Sequence, residues 1–514
     1  MAFPRCSLRV VLPWVVALAS LASARAELQL AAVFSDNAVL QQGKSVPVWG
    51  WCDPGETVVV EFRGRRVETV SENGRWFVKL PRQRAGGPDP LVVRGRSQML
   101  VLTNVLVGEV WVCSGQSNME WPLSRSENSQ AAIEAAANPQ IRLFTVPKLK
   151  ADEPVENVKA SWQLCDPTTV PGFSAVAYFF GRDLQRARGV PVGLVHTSWG
   201  GSPAEVWMRR EVIDMDPDFR KSILDPLPER RKKYEASLAA WEKDAAALRS
   251  QGKQPTTGRP SLGWVPSELY NGMVHPLIPY AIAGAIWYQG ESNAGRAYEY
   301  SRLFPTMIRN WRGDWGQGDF PFLAVQLAPW DRNKKRSLAE ITAQPGESDW
   351  AELREAQLLA TQVLPKVGMA VITDVGDKDD IHPVKKEPVG ARLALAARRI
   401  AYREPIVHSG PVFRSLSVSG GEARLRFDYV GGGLEARGGE LTGFQICGSN
   451  REWVWAKARI DGRRVVVSSP QVAEPVAVRF GWSDFPVVNL FNKEGLPASP
   501  FRTDNFPMIT APKE

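Results

Sequence analysis

The stretch Glu109-Val-Trp-Val-Cys113, running straight into Ser114-Gly-Gln-Ser-Asn-Met119, joins a compact apolar strand to a turn of small polar residues. An apolar run without polar alternation is buried on both faces, as strands inside a parallel sheet are. Four further runs share that character: Val190-Pro-Val-Gly-Leu-Val195, Ala283-Gly-Ala-Ile-Trp-Tyr288, Phe322-Leu-Ala-Val-Gln326 and Met369-Ala-Val-Ile-Thr373. Helix-length stretches such as 174–188 and 351–363 separate them. Beyond Lys385, the spacing of Val389, Leu393, Ala397 and Ile400 marks one helical face. Strands of this kind alternating with helices predict an α/β core with a parallel sheet covered on both sides. Residues near 215–262, rich in Lys, Glu and Ala, read as a helical insertion into that core.

Outward from this core the pattern changes on both sides. Val46-Pro-Val-Trp-Gly-Trp51, Thr57-Val-Val-Val-Glu-Phe62 and Trp76-Phe-Val-Lys-Leu80 are short strands, and Asp53-Pro-Gly55 and Glu72-Asn-Gly74 supply turns. They predict a small β-sandwich over 27–106. From Glu404 onward β character returns with Ala423-Arg-Leu-Arg-Phe427, Val465-Val-Val-Ser-Ser469 and Val476-Ala-Val-Arg-Phe480. The expected division is therefore 27–106 (β-sandwich), 107–403 (α/β) and 404–514 (β-rich), since 514 residues exceed one ordinary core.

Residues 1–26 read as a secretory leader: Arg5 and Arg9 precede an apolar stretch, and Ala24-Arg25-Ala26 is a cleavage-type site. The expectation is an exported protein, periplasmic or secreted, with no membrane association after cleavage. The net charge of +8 falls to about +5 without the arginines of that leader. The remaining Lys and Arg are interspersed with Asp and Glu, which argues against a nucleic-acid face. Cys52, Cys113, Cys165 and Cys447 are too few and too widely spaced for a disulfide framework or a zinc site. The 19 Trp suit either β-sheet cores or sugar stacking. Composition leaves the oligomeric state open.

Four segments that follow apolar strands carry the chemistry, because ligands bind at the C-terminal strand ends of such sheets. In Cys113-Ser-Gly-Gln-Ser-Asn-Met119, Gly115 permits a tight turn that exposes Ser117, although Ser and Asn there also suit helix caps. Ser198-Trp-Gly-Gly-Ser-Pro203 places Gly201, whose bare N–H suits an oxyanion. Trp287-Tyr-Gln-Gly-Glu-Ser-Asn293 holds neutral donors in Gln289 and Asn293, with Glu291 between them. Asp374-Val-Gly-Asp-Lys-Asp-Asp-Ile-His-Pro383 crowds His382 with acids. A serine needs a base, and a carboxylate fixes that base's tautomer. Calcium binding is the competing chemistry for this acidic loop, but it lacks regular ligand spacing.

Together, in this chain order, the four segments resemble the blocks of the SGNH hydrolase superfamily. The chain is most similar to the sialate O-acetylesterase family and its bacterial relatives. Supporting strings are Phe34-Ser-Asp-Asn-Ala-Val-Leu-Gln41, Val107-Gly-Glu-Val-Trp111, Tyr270-Asn-Gly-Met273, Phe320-Pro-Phe322 and Gly495-Leu-Pro-Ala-Ser-Pro-Phe-Arg-Thr-Asp504. The resemblance implies a flavodoxin-like core flanked by accessory β domains, no metal or other cofactor, and acetylated sugars as substrates. It implies Ser117 as nucleophile and His382 as base. The superfamily spacing points to Asp379 as the supporting acid and the Asp-Ile-His-Pro string to Asp380, which is preferred. Ser117 and Gly201 would form the oxyanion hole with Gln289 or Asn293, Gln289 being favoured, and Gln116, Asn118 and Glu291 would contact substrate. The rival readings are an acetylxylan or other plant-polysaccharide deacetylase, a carbohydrate-binding protein on an inactive esterase core, and a glycosidase using Glu291 with Asp380.

Overall fold

A computed structural model describes residues 27–333 and 335–512. The leader expected over 1–26 lies outside them. Six parallel strands form the centre: β1 (Met99–Gly115), β2 (Asn138–Thr145), β3 (Val192–Ser198), β4 (Gly284–Tyr288), β5 (Phe322–Val325) and β6 (Val367–Ala370). Their spatial order is β2-β3-β1-β4-β5-β6, and Gln163–Cys165 adds an antiparallel edge outside β2. With β2 set aside, the remaining five read 2-1-3-4-5, the order of a doubly wound sheet. Its crevice opens where the winding reverses, at the C-terminal ends of β3, β1 and β4. Register places Gly115 beside both Ser198 and Tyr288 at that point.

The helices include α1 (Ser117–Glu120), α2 (Ala175–Arg188), α3 (Leu227–Ser250), α4 (Ala297–Trp315), α5 (Asp349–Val363) and α6 (Glu387–Ile400). Side chains alternate across the sheet. Trp111 and Cys113 of β1 face Phe179, Phe180, Val389 and Leu393 of α2 and α6. Val110 and Val112 share the opposite core with Leu303 and Trp311 of α4 and Leu353 of α5. Burying each large apolar side chain is worth about 1.5–3 kcal/mol. The α2–α6 approach depends on Gly390, where a Cβ would lie 2.6 Å from the Phe180 nitrogen. Helix α3, within the stretch read as a helical insertion, has only Leu227 and Ala245 buried.

The N-terminal strands form two layers. Val46–Trp51 pairs antiparallel with Arg75–Leu80, and Gly86–Arg94 pairs with the first half of β1. Here the structure departs from the expected division. The strand read as 109–113 is the end of a 17-residue strand, so a boundary at 106/107 falls inside it. Leu28, Val48 and Trp76 of the N-terminal layers belong to the same hydrophobic core as Val112 and Trp287. The C-terminal strands surround a separate cluster built on Leu425, Phe444, Val465 and Phe480. Among the described residues, Cys52, Cys113, Cys165 and Cys447 are free and buried. Among the described residues no helix is long and apolar enough to cross a membrane.

Candidate functional site

Strand β1 ends at Gly115 with φ +141, and a Cβ there would sit 2.1 Å from the Tyr288 carbonyl oxygen. Only glycine lets the chain turn this close to β4. The turn presents Ser117 half-exposed at the start of α1, between the buried Gln116 and Asn118. As a first-turn residue of a short helix, Ser117 also has an N–H without an intrahelical acceptor.

The acidic loop brings His382 to this serine. Nε2 of His382 lies 2.8 Å from Ser117 Oγ. On the other side of the ring, Nδ1 is 3.5 Å from Asp380 Oδ1. The same oxygen accepts the His382 backbone N–H at 2.8 Å, closing the loop around the residue it supports. Trp121 stacks on the imidazole, with centroids 5.3 Å apart and planes at 18°. The Arg125 guanidinium covers Trp121 at 3.9 Å from a ring centroid. Burial holds the His382 pKa below the usual 6.5; Asp380 pulls it up, and Lys386 and Arg125 push it down. A neutral imidazole, the form a base requires, is thereby favoured.

Asp379 takes no part in this contact: its carboxylate pairs with Lys378. Asp377 accepts the backbone N–H groups of Asp379 and Asp380 at 2.8 and 3.2 Å. Asp374 binds Arg392 at 2.6 Å. The acids are thus used one by one within the loop, and no metal-holding cluster of three or more His, Cys, Asp or Glu occurs among the described residues.

The glycine segment after β3 lies against Ser117. A Cβ on Gly200 would be 3.2 Å from Ser117 Cβ, so a side chain there would crowd the serine. The Gly200 N–H donates to Glu120 Oε2 at 2.6 Å. Gly201, exposed and at φ +75, carries an N–H that no side chain of its own screens. Beyond it, Trp199 and Trp264 meet edge-on at 5.6 Å, with Lys150 4.1 Å from the Trp264 ring.

The third segment corrects several expectations. Gln289 is fully buried, and its amide donates to Asn293 Oδ1 at 2.6 Å and to the Ser202 carbonyl at 3.3 Å. Those bonds use both amide hydrogens, so the preference for Gln289 as oxyanion donor is not carried by this geometry. Asn293 Nδ2 gives one hydrogen to Glu205 at 3.0 Å and retains a second.

The expected substrate contacts are also framework. Asn118 is fully buried; it donates to Glu291 Oε1 at 2.6 Å and to the Ile381 carbonyl at 3.0 Å, and accepts from Lys386 at 2.5 Å. Gln116 Oε1 accepts the N–H groups of Gly290 and Ser292 at 3.4 and 3.3 Å. Glu291 Oε2 is buried without a partner, and burial raises its pKa. A carboxylate held beneath Asn118 is not placed as half of a glycosidase pair. Lys386, also buried, has its pKa lowered to about 7 by desolvation. A buried charge costs free energy unless it is bonded, and Asn118 ties this lysine and Glu291 to the carbonyl preceding His382. Sequence reading missed Lys386, Trp121 and Glu120. Trp121 and Glu120 stood beside the first block, whereas nothing local marks Lys386.

Residues 107–252 and 254–398, more than half of the chain, match the family model described as carbohydrate esterase, sialic acid-specific acetylesterase. The chain belongs to this family. It is therefore a carboxylic ester hydrolase. Mouse sialate O-acetylesterase is 30% identical over 495 residues, covering 87% of this chain and 88% of the relative. The human sialate O-acetylesterase is 28% identical, covering 92% of each. A solved structure described as a carbohydrate acetylesterase from Xanthomonas citri aligns with TM-score 0.79 and 40% identity. That alignment covers 93% of this chain and all of the other. As a carbohydrate esterase, the chain has its serine–histidine contact inside the segment that the family model spans.

Proposed function

We propose that the protein hydrolyses acetyl esters on sugars, with Ser117 as nucleophile, His382 as general base and acid, and Asp380 orienting His382. The observation that carries this reading is the 2.8 Å approach of His382 Nε2 to Ser117 Oγ, with Asp380 at the opposite nitrogen. His382 takes the hydroxyl proton as Oγ attacks the acetyl carbonyl. The N–H groups of Ser117 and Gly201 and the free amide hydrogen of Asn293 stabilise the oxyanion. Collapse of the tetrahedral species expels the sugar hydroxyl, which receives the proton from His382. Water, deprotonated by His382, then attacks the acetyl-serine; the acyl–Oγ bond breaks, His382 returns the proton to Oγ, and acetate leaves. The Trp199–Trp264 wall beside Gly201 is suited to a sugar face.

The fold assignment under this reading is an SGNH-type, flavodoxin-like core with an accessory β domain on its N-terminal side, joined to it through β1, and a second over 404–514. The 2-1-3-4-5 order supports it, and β1 links the first two units covalently and by shared core. The family and the mammalian relatives favour O-acetylated sialic acid as substrate, and the 40% identity to the Xanthomonas citri protein favours a bacterial-type enzyme. The leader-like 1–26 segment supports export. The test is acetate release by the purified enzyme from O-acetyl sialic acid, acetylated xylan and acetylated pectin, with an aryl acetate as reference. Preference for the sialic acid ester supports the substrate reading, and preference for xylan or pectin replaces it. No acetate from any of them, the aryl ester included, removes the esterase mechanism itself.

A further inference from the structure

The start of β6, at the end of the sheet opposite Ser117, borders a groove of about 810 Å3 between the core and the C-terminal strands. It shares Lys366, Ile400 and Arg403 with a second hollow of about 430 Å3 beside the N-terminal strands, so the two form one continuous channel. Lys366 precedes β6 and Arg399 is in the last turn of α6, with Arg403 just beyond it. Among the described residues no ion pair forms to any of these three cations, although all three line the larger hollow.

The acids along the channel are otherwise engaged. Asp428 pairs with Arg414 at 3.3 Å and Asp319 with Arg312 at 3.5 Å, while Glu109 binds Gln41 and Gln42 at 2.8 and 2.6 Å. The Glu109 carboxylate keeps its charge, since neutral amides do not cancel it, but Lys44, Lys366, Arg399 and Arg403 outnumber it and leave the channel with a surplus of positive charge.

Its backbone is unusual in the same places. Lys366, Arg403 and Tyr429 adopt φ of +54, +60 and +57, a region normally occupied by Gly or Asn. Each therefore holds a large side chain at the groove at some conformational cost. Tyr429 is 51% exposed and meets His408 edge-on at 5.2 Å. The buried Asn492 fixes this rim by donating to the carbonyls of Ser409 and Tyr429 at 3.0 and 3.2 Å. Arg399 Nη1 donates to the Glu404 carbonyl at 3.3 Å but meets no carboxylate, and an aromatic face beside cations without ion-pair partners matches a pyranose ring bearing a carboxylate. A nucleic acid would call for a longer basic stripe than this short group.

We propose that this channel is a second, non-catalytic site that binds a carboxylate-bearing oligosaccharide, with its acids on Lys366, Arg399 and Arg403 and a ring on Tyr429. The carbohydrate chemistry of the family guides only the choice of ligand class. The site itself needs no turnover at Ser117, so its failure is separable from failure of the esterase reading.

The test is calorimetric titration of the Ser117→Ala full chain with tetragalacturonate, and with cellotetraose as the neutral counterpart. Saturable binding of the acidic tetrasaccharide is expected, weakening at least about tenfold in K366A/R399A/R403A and several-fold in Tyr429→Ala. It should also weaken as salt rises from about 0.05 to about 0.5 M. In the Ser117 background, K366A/R399A/R403A should keep full aryl acetate hydrolysis, which also shows that it is folded. Absence of binding, equal affinity in the groove variants, equal affinity for cellotetraose, or a parallel loss of esterase activity would each overturn the proposal.

Discussion

His196 and Ser198, two residues apart on β3, bring Nε2 and Oγ to 2.6 Å; His382 and Ser117, from separate loops, reach 2.8 Å. The two pairs are neighbours, since Ser198 registers with Gly115. By distance alone the β3 pair is the tighter. It is nevertheless sealed: both residues are buried, and His196 Nδ1 has no partner. Desolvation drives the His196 pKa to about 4, so it resists the positive charge that a base must accept in the transition state. His382 is partly open to solvent and faces the Asp380 carboxylate, which stabilises that charge. A short serine–histidine contact is therefore insufficient by itself; access and a charge-supporting partner set the outcome.

The sharpest way to break this comparison is to truncate both serines. Ser117→Ala and His382→Ala should each lower acetate release from an aryl acetate by about 10⁴-fold or more, with an unchanged thermal midpoint. Ser198→Ala should stay within about threefold. The reverse pattern in the same assay would exchange the roles of the two pairs.

A smaller loss should separate the two amides. Asn293→Ala should reduce kcat by about 10²–10³ with little change in KM. Gln289→Ala should chiefly cost stability, about 1–3 kcal/mol from orphaned buried partners, read as a lower urea midpoint. If Gln289→Ala instead lowered kcat at constant stability, the oxyanion donors would have to be reassigned.

The mildest change should come from Asp380→Asn, a loss of about 10- to 100-fold, well below that of a buried triad carboxylate, because the Asp380 side chain is 57% exposed. His382 must be neutral to act as base, so the acid limb of kcat/KM should fall below pH 6.5, in line with its lowered pKa. Asp380 favours the imidazolium, so Asp380→Asn should move that limb further to acid. Asp379→Asn should leave it in place. A limb that moves to higher pH in Asp380→Asn would show that the carboxylate does not face His382 during catalysis.

Much of this arrangement was legible from apolar runs and from the order of the four loop segments. Five both-face-buried strands and the helices over 174–188 and 351–363 follow from periodicity and turn chemistry, whereas the pairing of Ser117 with His382 followed from the family resemblance of the four segments taken together. The misread parts depend on direction rather than residue type. An amide such as Gln289 has the same composition whether it points into a crevice or at Asn293, and only the packed neighbours decide. The same holds for Asn118, whose three bonds reach segments far apart in the chain. Lys386 gave no local sign, because a buried lysine differs from a surface one only in its surroundings. The boundary at 106 failed because turn residues do not always end a strand: Asn104, at φ +56, and Gly108 lie between the two halves of β1, and the strand runs through both.

That uninterrupted strand sets a rule for anyone rearranging the molecule. Met99–Gly115 is at once a border of the N-terminal layers and the middle of the catalytic sheet. A gene fragment starting at residue 107 would keep Ser117, the proposed nucleophile, but discard half of the strand that leads to it. It would also divide the hydrophobic core to which Leu28, Val48 and Trp76 belong together with Val110 and Val112. Grafts, permuted termini or tags that respect the catalytic turn should leave 39–115 whole, including Val39–Gln41, which lies parallel to the join at Leu106–Gly108. The unit of inheritance here is wider than the unit of chemistry.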